Sequence, residues 1–142
     1  MTDQMYTTIL AQFCEAVGMP EPEKLQATGT LVIDDFNVAL SYHSMIAPDK
    51  LNIEVDLGTV PVERERDAYR AMLEMNLVTS QWQTGQIGIY GSSGHAVFSV
   101  HMPLAPHTTG QDLATTLDHV IHQAQCVRDV VIGATEPSGV AA

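Results

Sequence analysis

Hydrophobic residues recur along this chain at two spacings, and the spacing changes from one segment to the next. Met5, Tyr6, Ile9, Leu10, Phe13 and Val17 fall three and four apart. That spacing predicts a helix that Thr2 or Asp3 can cap, that Gly18 ends, and that Pro20 keeps from resuming. EPEKLQATG then reads as a polar connection. TLVID opens a strand, with Asp34-Asp35 as its turn. In FNVALSYH, Phe36, Val38, Leu40 and Tyr42 share one face, the period-two pattern of a half-buried strand. LNIEVDL alternates in the same way, with Leu51, Ile53, Val55 and Leu57 facing inward. An antiparallel sheet with one wet face writes that pattern.

The period returns to helical over Pro61 to Val78. Pro61 suits the edge of a first turn, and Glu63, Glu65 and Asp67 complement the positive end of the macrodipole. Tyr69, Met72, Leu73 and Asn76 form a stripe that Met75 and Leu77 widen. A fourth strand centres on Ile87, Ile89 and Tyr90, GSSG makes a hairpin turn, and HAVFSVHM is a fifth strand ending at Pro103. Thr109 and Asp112 begin a long last helix as a variant capping box. Its stripe runs from Leu113 to Val131, and Gly133 stops it. The expected order is α-β-β-β-α-β-β-α. This is an α+β fold with a five-stranded, mainly antiparallel sheet packed against helices. Residues 1–132 make one domain, and the small, polar stretch 133–142 reads as a flexible tail.

Composition narrows the partners. Seventeen acidic residues against six basic ones give a formal net charge of −11 over 142 residues. Nucleic acids and anionic membranes are poor partners for such a surface. The N-terminal stretch lacks a signal peptide's basic and apolar runs, and no segment is apolar for about 18 residues. Cys14 and Cys126 lie among apolar neighbours without a CxxC pattern, which predicts buried free thiols in a reducing, cytoplasmic setting.

Candidate chemistry is sparse. His119 and His122 are three apart on the last helix, but two ligands do not make a zinc site. The glycines of GQIGIYG and GSSG do not open a helix, so no phosphate loop is read there. Ser92 and Ser93 with a nearby His95 lack the third group of a nucleophilic triad. The expectation is no catalytic residue, no metal and no cofactor. The rival readings are a small metal-binding enzyme or sensor built on the histidines, and an acidic regulator or mimic that occupies a basic protein.

Size, acidity and element order together resemble the class I type III secretion chaperones, the Tir-chaperone-like family of Gram-negative bacteria. FCEAVGMPEPE, Phe13 to Glu23, resembles that family's first-helix exit, and VIDDFNVALSY its first hairpin. LEMNL, Leu73 to Leu77, resembles the end of its central helix, and GIYGSSGHAVFSVHMPL its last hairpin. The likeness runs from residue 3 to about 132. It implies a bacterial cytoplasmic homodimer that binds the N-terminal segment of a secreted effector and keeps it soluble and competent for secretion. It allows the secretion ATPase as a further partner.

Two sets of site residues follow. The apolar half of the central helix, Tyr69, Met72, Leu73 and Met75, exceeds what one thin sheet needs. With Trp82, Ile87 and Ile89 it is the expected dimer interface. The first helix and first hairpin carry a surplus as well. Phe13, Leu31, Ile33, Phe36 and Val38 are the expected effector-binding residues, with Phe13 and Phe36 partly exposed.

Overall fold

The computed structural model describes residues 3–82 and 85–133, residues 79–82 by their backbone alone. The expected tail lies outside the described residues apart from Gly133. The elements in order are α1 (Asp3–Val17), α2 (Pro22–Thr28), β1 (Thr30–Ile33), β2 (Phe36–Ser41), β3 (Lys50–Thr59), a 3₁₀ turn (Val62–Arg64), α3 (Glu65–Trp82), β4 (Gln86–Ile89), β5 (His95–Pro103) and α4 (Gly110–Val131). The five strands form one sheet in the order β1-β2-β3-β5-β4, so β1 and β4 are its edges. The α+β architecture and the antiparallel hairpins β1–β2 and β4–β5 agree with the hydrophobic pattern.

Two elements differ from expectation. The stretch taken as a polar connection is the short helix α2. Pro22 sits in its first turn, Leu25 is its single buried anchor, and Gly29 ends it in the left-handed conformation. Seven residues with one apolar anchor are too few to show a period. The central helix starts four residues later than expected and ends four residues later, at Trp82. Pro61 takes an extended ψ of 139° and its carbonyl accepts the Arg64 N–H at 2.9 Å, which makes the first turn 3₁₀. At the other end no Gly or Pro interrupts TSQW.

The chain divides into two compact units, Met1–Ile53 with His101–Ile121 and Glu54–Val100 with His122–Ala142. The first unit buries Leu10, Phe13, Phe36, Val38, Leu51, Ile53, Leu113 and Leu117. Its α1 crosses the start of α4 so closely that a Cβ on Gly110 would sit 2.2 Å from the Phe13 nitrogen. Only glycine allows that approach. The Gly110 N–H, left without a helical partner, donates to Gln12 Oε1 at 2.9 Å. Thr109 and Asp112 cap the same helix reciprocally, at 2.9 and 3.2 Å. The second unit buries Val55, Leu57, Ala68, Met72, Ile87, Phe98, Val127 and Val131. No charged or polar residue is fully buried among the described residues.

The β1–β2 turn carries backbone strain. Ile33 pairs with Phe36, so Asp34 and Asp35 form a two-residue loop, with φ of 48° and 70°. Two positive φ values define the mirror-image turn that matches sheet twist and favours Asn-Gly. Holding a side-chain-bearing residue there costs roughly 1 kcal/mol. Asp35→Gly is therefore expected to stabilise the fold by about 1 kcal/mol, raising Tm by about 4 °C. Thermal denaturation followed by circular dichroism measures it, and an unchanged or lower Tm contradicts this account of the turn.

Candidate functional site

Three surface features stand out, and each lies within a single unit. The first is a groove of about 310 Å³ along α1, lined by Gln4, Met5, Thr8, Ile9 and Gln12 and closed by Pro106 and Thr108. It exists because the surplus of the α1 stripe is real. Ile9, Leu10, Phe13 and Cys14 fill the core, while Met5 and Tyr6 stay half-buried and Val17 is exposed. Tyr6 stacks on Tyr42 with ring centroids 5.1 Å apart, and the Tyr42 hydroxyl donates to the Pro48 carbonyl at 3.0 Å.

The second feature is the apolar surface of α3. Ala68 and Met72 turn into the unit, and the neighbouring face leaves Tyr69 (41% exposed), Leu73 (72%) and Leu77 (66%) one turn apart. Val62 before the helix and Val78 at its side are exposed too. Of the expected dimer residues, Tyr69 and Leu73 lie on this surface, Met75 is half-buried, and Ile89 is exposed on β4. Met72 and Ile87 do not belong to it. Both are core residues, because they occupy the inward positions of their helix and strand. The Trp82 side chain lies outside the described residues.

The third feature is the open edge of β1. The Leu40 N–H donates to the Gly29 carbonyl at 2.6 Å, so alternate residues Leu31 and Ile33 face β2. Thr30 and Val32 turn their backbone groups outward. Thr30 is partly satisfied by the Thr28 hydroxyl at 3.3 Å, and the Val32 side chain is 65% exposed. The effector residues expected here fare differently. Phe13 and Phe36 are 3% and 1% exposed, so their expected partial exposure is corrected. Leu31 and Val38 are core as well, and Ile33 is half-buried. Their alternation marks the inward face, and the accessible residue is the intervening Val32.

The outward polar residues of β3, Glu54 and Asp56, pair with neighbouring groups. Glu54 accepts a hydrogen bond from the Tyr90 hydroxyl, and Asp56 accepts one from the Gly58 N–H at 2.8 Å. His95 Nδ1 lies 2.9 and 3.0 Å from the two Asp56 oxygens. The bond to Glu54 raises the Tyr90 phenol above its ordinary value, with burial adding to it. Among the described residues no three His, Cys, Asp or Glu side chains converge as metal ligands. Cys14 is buried, and burial followed by the charge of Glu23 pushes its thiol up. Cys126, expected to be buried, is exposed because it sits beside the Ala124–Val127 stripe rather than on it. Among the described residues no helix is long and apolar enough to cross a membrane.

Burial pushes the Tyr6 phenol up to about 12. The neutral form is therefore favoured in the folded chain. The stability this confers is complete below about pH 10 and is lost as pH rises from about 10 to 12. Tyr6→Phe is expected to remove a loss of about 1–2 kcal/mol over that interval, less than the full shift implies because water screens a half-buried ring. Urea denaturation at pH 9 and pH 11.5 measures it, and an identical pH dependence in the variant contradicts the assignment.

Residues 8–128 match the model of the Tir chaperone protein (CesT) family. Several solved structures share the fold. Similarity to a chain of the ExsC–ExsE complex gives a TM-score of 0.72 at 18% identity, covering 94% of this chain and 98% of that one. For the HopA1–SchA chaperone–effector complex the values are 0.69 and 18%, covering 89% and 95%. For the ExoT–SpcS complex from Pseudomonas aeruginosa they are 0.62 and 18%, covering 87% and 97%. No curated protein matches the sequence significantly.

Proposed function

The chain belongs to the Tir chaperone protein (CesT) family, and from that premise we propose that it is a type III secretion chaperone acting in the bacterial cytoplasm. It holds the N-terminal segment of a secreted effector extended and soluble until export. The observation that carries this reading is the outward-facing apolar and backbone surface of a strongly acidic chain. Tyr69, Leu73 and Leu77 on α3, Val32 on β1 and the α1 groove all lie open, while the core is filled without them. Exposed apolar surface of this extent marks interaction sites. The proposal draws further support from a complex named for a chaperone and its effector among the structures that share the fold. No step of the function requires a reaction, a metal or a cofactor.

The two kinds of surface serve two partners. The α3 stripe suits a second copy of the chain, since side chains at i, i+4 and i+8 give a self-complementary helix face. The β1 edge and the α1 groove suit an extended segment. The β1 edge at Val32 offers backbone groups for strand addition, and the α1 groove offers Met5 and Thr8 to apolar side chains of a segment. Phe13, Leu31, Phe36 and Val38 contribute by holding this edge and groove in place, and Ile33 alone of the five retains part of its surface.

Two variants separate the surfaces. Leu73→Asp places a charge at an exposed position, so the chain is expected to keep its fold and sediment as a monomer at micromolar concentration. A folded dimer of unchanged affinity overturns the α3 interface. Thr8→Trp fills the α1 groove and is expected to weaken capture of effector N-terminal segments by roughly tenfold or more, the yield of one large apolar contact. The dimer is expected to persist. Unchanged capture places the client elsewhere, and failure of every effector segment to bind the parent chain overturns the function.

A further inference from the structure

The sheet has two edges, β1 and β4, and they are not treated alike. The Tyr90 N–H donates to the His95 carbonyl at 3.0 Å. The β4–β5 register pairs Gly88 with Val97 and Ile87 with Phe98. In an antiparallel pair the bonded residues alternate, so Gly88 faces β5 and Ile87 turns its N–H and C=O to the outside. Both outward groups are taken. The Ile87 N–H donates to Asn76 Oδ1 at 2.7 Å, and Asn76 Nδ2 donates to the Ile87 carbonyl at 2.9 Å. One primary amide thus supplies the donor and acceptor that a neighbouring strand would supply. Asparagine suits the task because its short side chain ends in both groups.

The surroundings limit the edge further. Gly85, just before β4, has a φ of 131°, and a Cβ there would lie 2.8 Å from the Ser99 carbonyl oxygen. The strand is only four residues long, Gln86–Ile89, and by the register its outward positions are Ile87 and Ile89. The helix that carries Asn76 also carries the exposed Leu73 and Leu77, and Ile89 is itself exposed. Apolar surface beside an unpaired strand is the arrangement that invites chain-to-chain pairing.

We propose that Asn76 seals β4 against strand addition by a second copy of the chain, leaving β1 as the edge open to a partner strand. Self-association is thereby restricted to side-chain contact through α3, which closes, and denied to strand pairing through β4. That an effector segment is what β1 receives rests on the chaperone reading. The sealing of β4 does not, and it is tested with this chain alone.

Amide hydrogen exchange by NMR reads the seal in the unaltered chain. The Ile87 amide is expected to exchange at least about tenfold more slowly than the outward Ile89 amide, the effect of one added hydrogen bond. Equal rates overturn the proposal. In Asn76→Ala the Ile87 amide is expected to speed up by about tenfold while Gly88 and Val97 keep their protection. The variant is also expected to form assemblies larger than those of the parent chain as concentration rises, seen by sedimentation velocity. Adding Ile89→Pro removes an outward N–H without costing a bond to β5, and it is expected to return Asn76→Ala to the parental size. No growth in Asn76→Ala, or growth that Ile89→Pro leaves intact, overturns the proposal.

Discussion

The crossing of α1 over the start of α4 is the contact on which the first unit depends. It requires that residue 110 have no side chain, since a Cβ there would meet the backbone of Gln12 and Phe13. The crossing places Phe13 in the core, and it puts Gln12 where it satisfies the free N–H of Gly110. Because α1 is drawn to this end of α4, Pro106 and Thr108 of the preceding loop close the far wall of the groove. The groove is thus a by-product of packing. A wider residue at 110 would force the helices apart and remove both the core contact and the groove.

The second unit meets a different constraint, an apolar surface on α3 larger than its own strands can cover. On α3 Ala68 and Met72 are buried, against a unit whose strands bury Val55, Leu57, Ile87 and Phe98. The remainder faces out, at Tyr69, Leu73 and Leu77. Asn76 lies between these two sides, half-buried and bonded to the edge strand. A leucine at that position would have continued the stripe, and it would have left the Ile87 backbone bare. The polar member of the helical stripe is therefore the residue that joins helix to sheet through specific geometry.

The strands were legible in the sequence because period two survives any assembly: Leu51, Ile53, Val55 and Leu57 are buried in turn, as their spacing implies. The turn at Asp34-Asp35 and the cap at Thr109 were legible because both are local chemistry. What periodicity does not carry is the division of an apolar stripe between a molecule's own core and a partner. It marked Phe13 and Phe36 and the α3 residues equally as surplus, and packing buried the first two and left Tyr69 and Leu73 open. The accessible apolar residue of the first hairpin is one that reading passed over, Val32 between Leu31 and Ile33. A valine at a wet position of a strand was the signal available for it. Asn76 read as part of a stripe because spacing does not distinguish an amide that pairs with the backbone from one that faces water.

The proposed function asks for binding that holds a segment without folding it, and the surfaces described are suited to that. Each residue of an extended segment that becomes fixed costs roughly 1–2 kcal/mol of backbone entropy. In strand addition only alternate side chains reach the chaperone, and each yields roughly 1.5–3 kcal/mol when fully buried. Two fixed residues are thus offset by one buried side chain and a pair of backbone hydrogen bonds worth about 1 kcal/mol each. The sum is only about 1 kcal/mol in favour of binding per pair of residues at mid-range, so affinity accumulates over a long segment. The formal charge of −11 acts in the same direction. It keeps copies with exposed Leu73, Leu77 and Val32 from coalescing at contacts too small to offset repulsion, and admits those that bury a continuous surface.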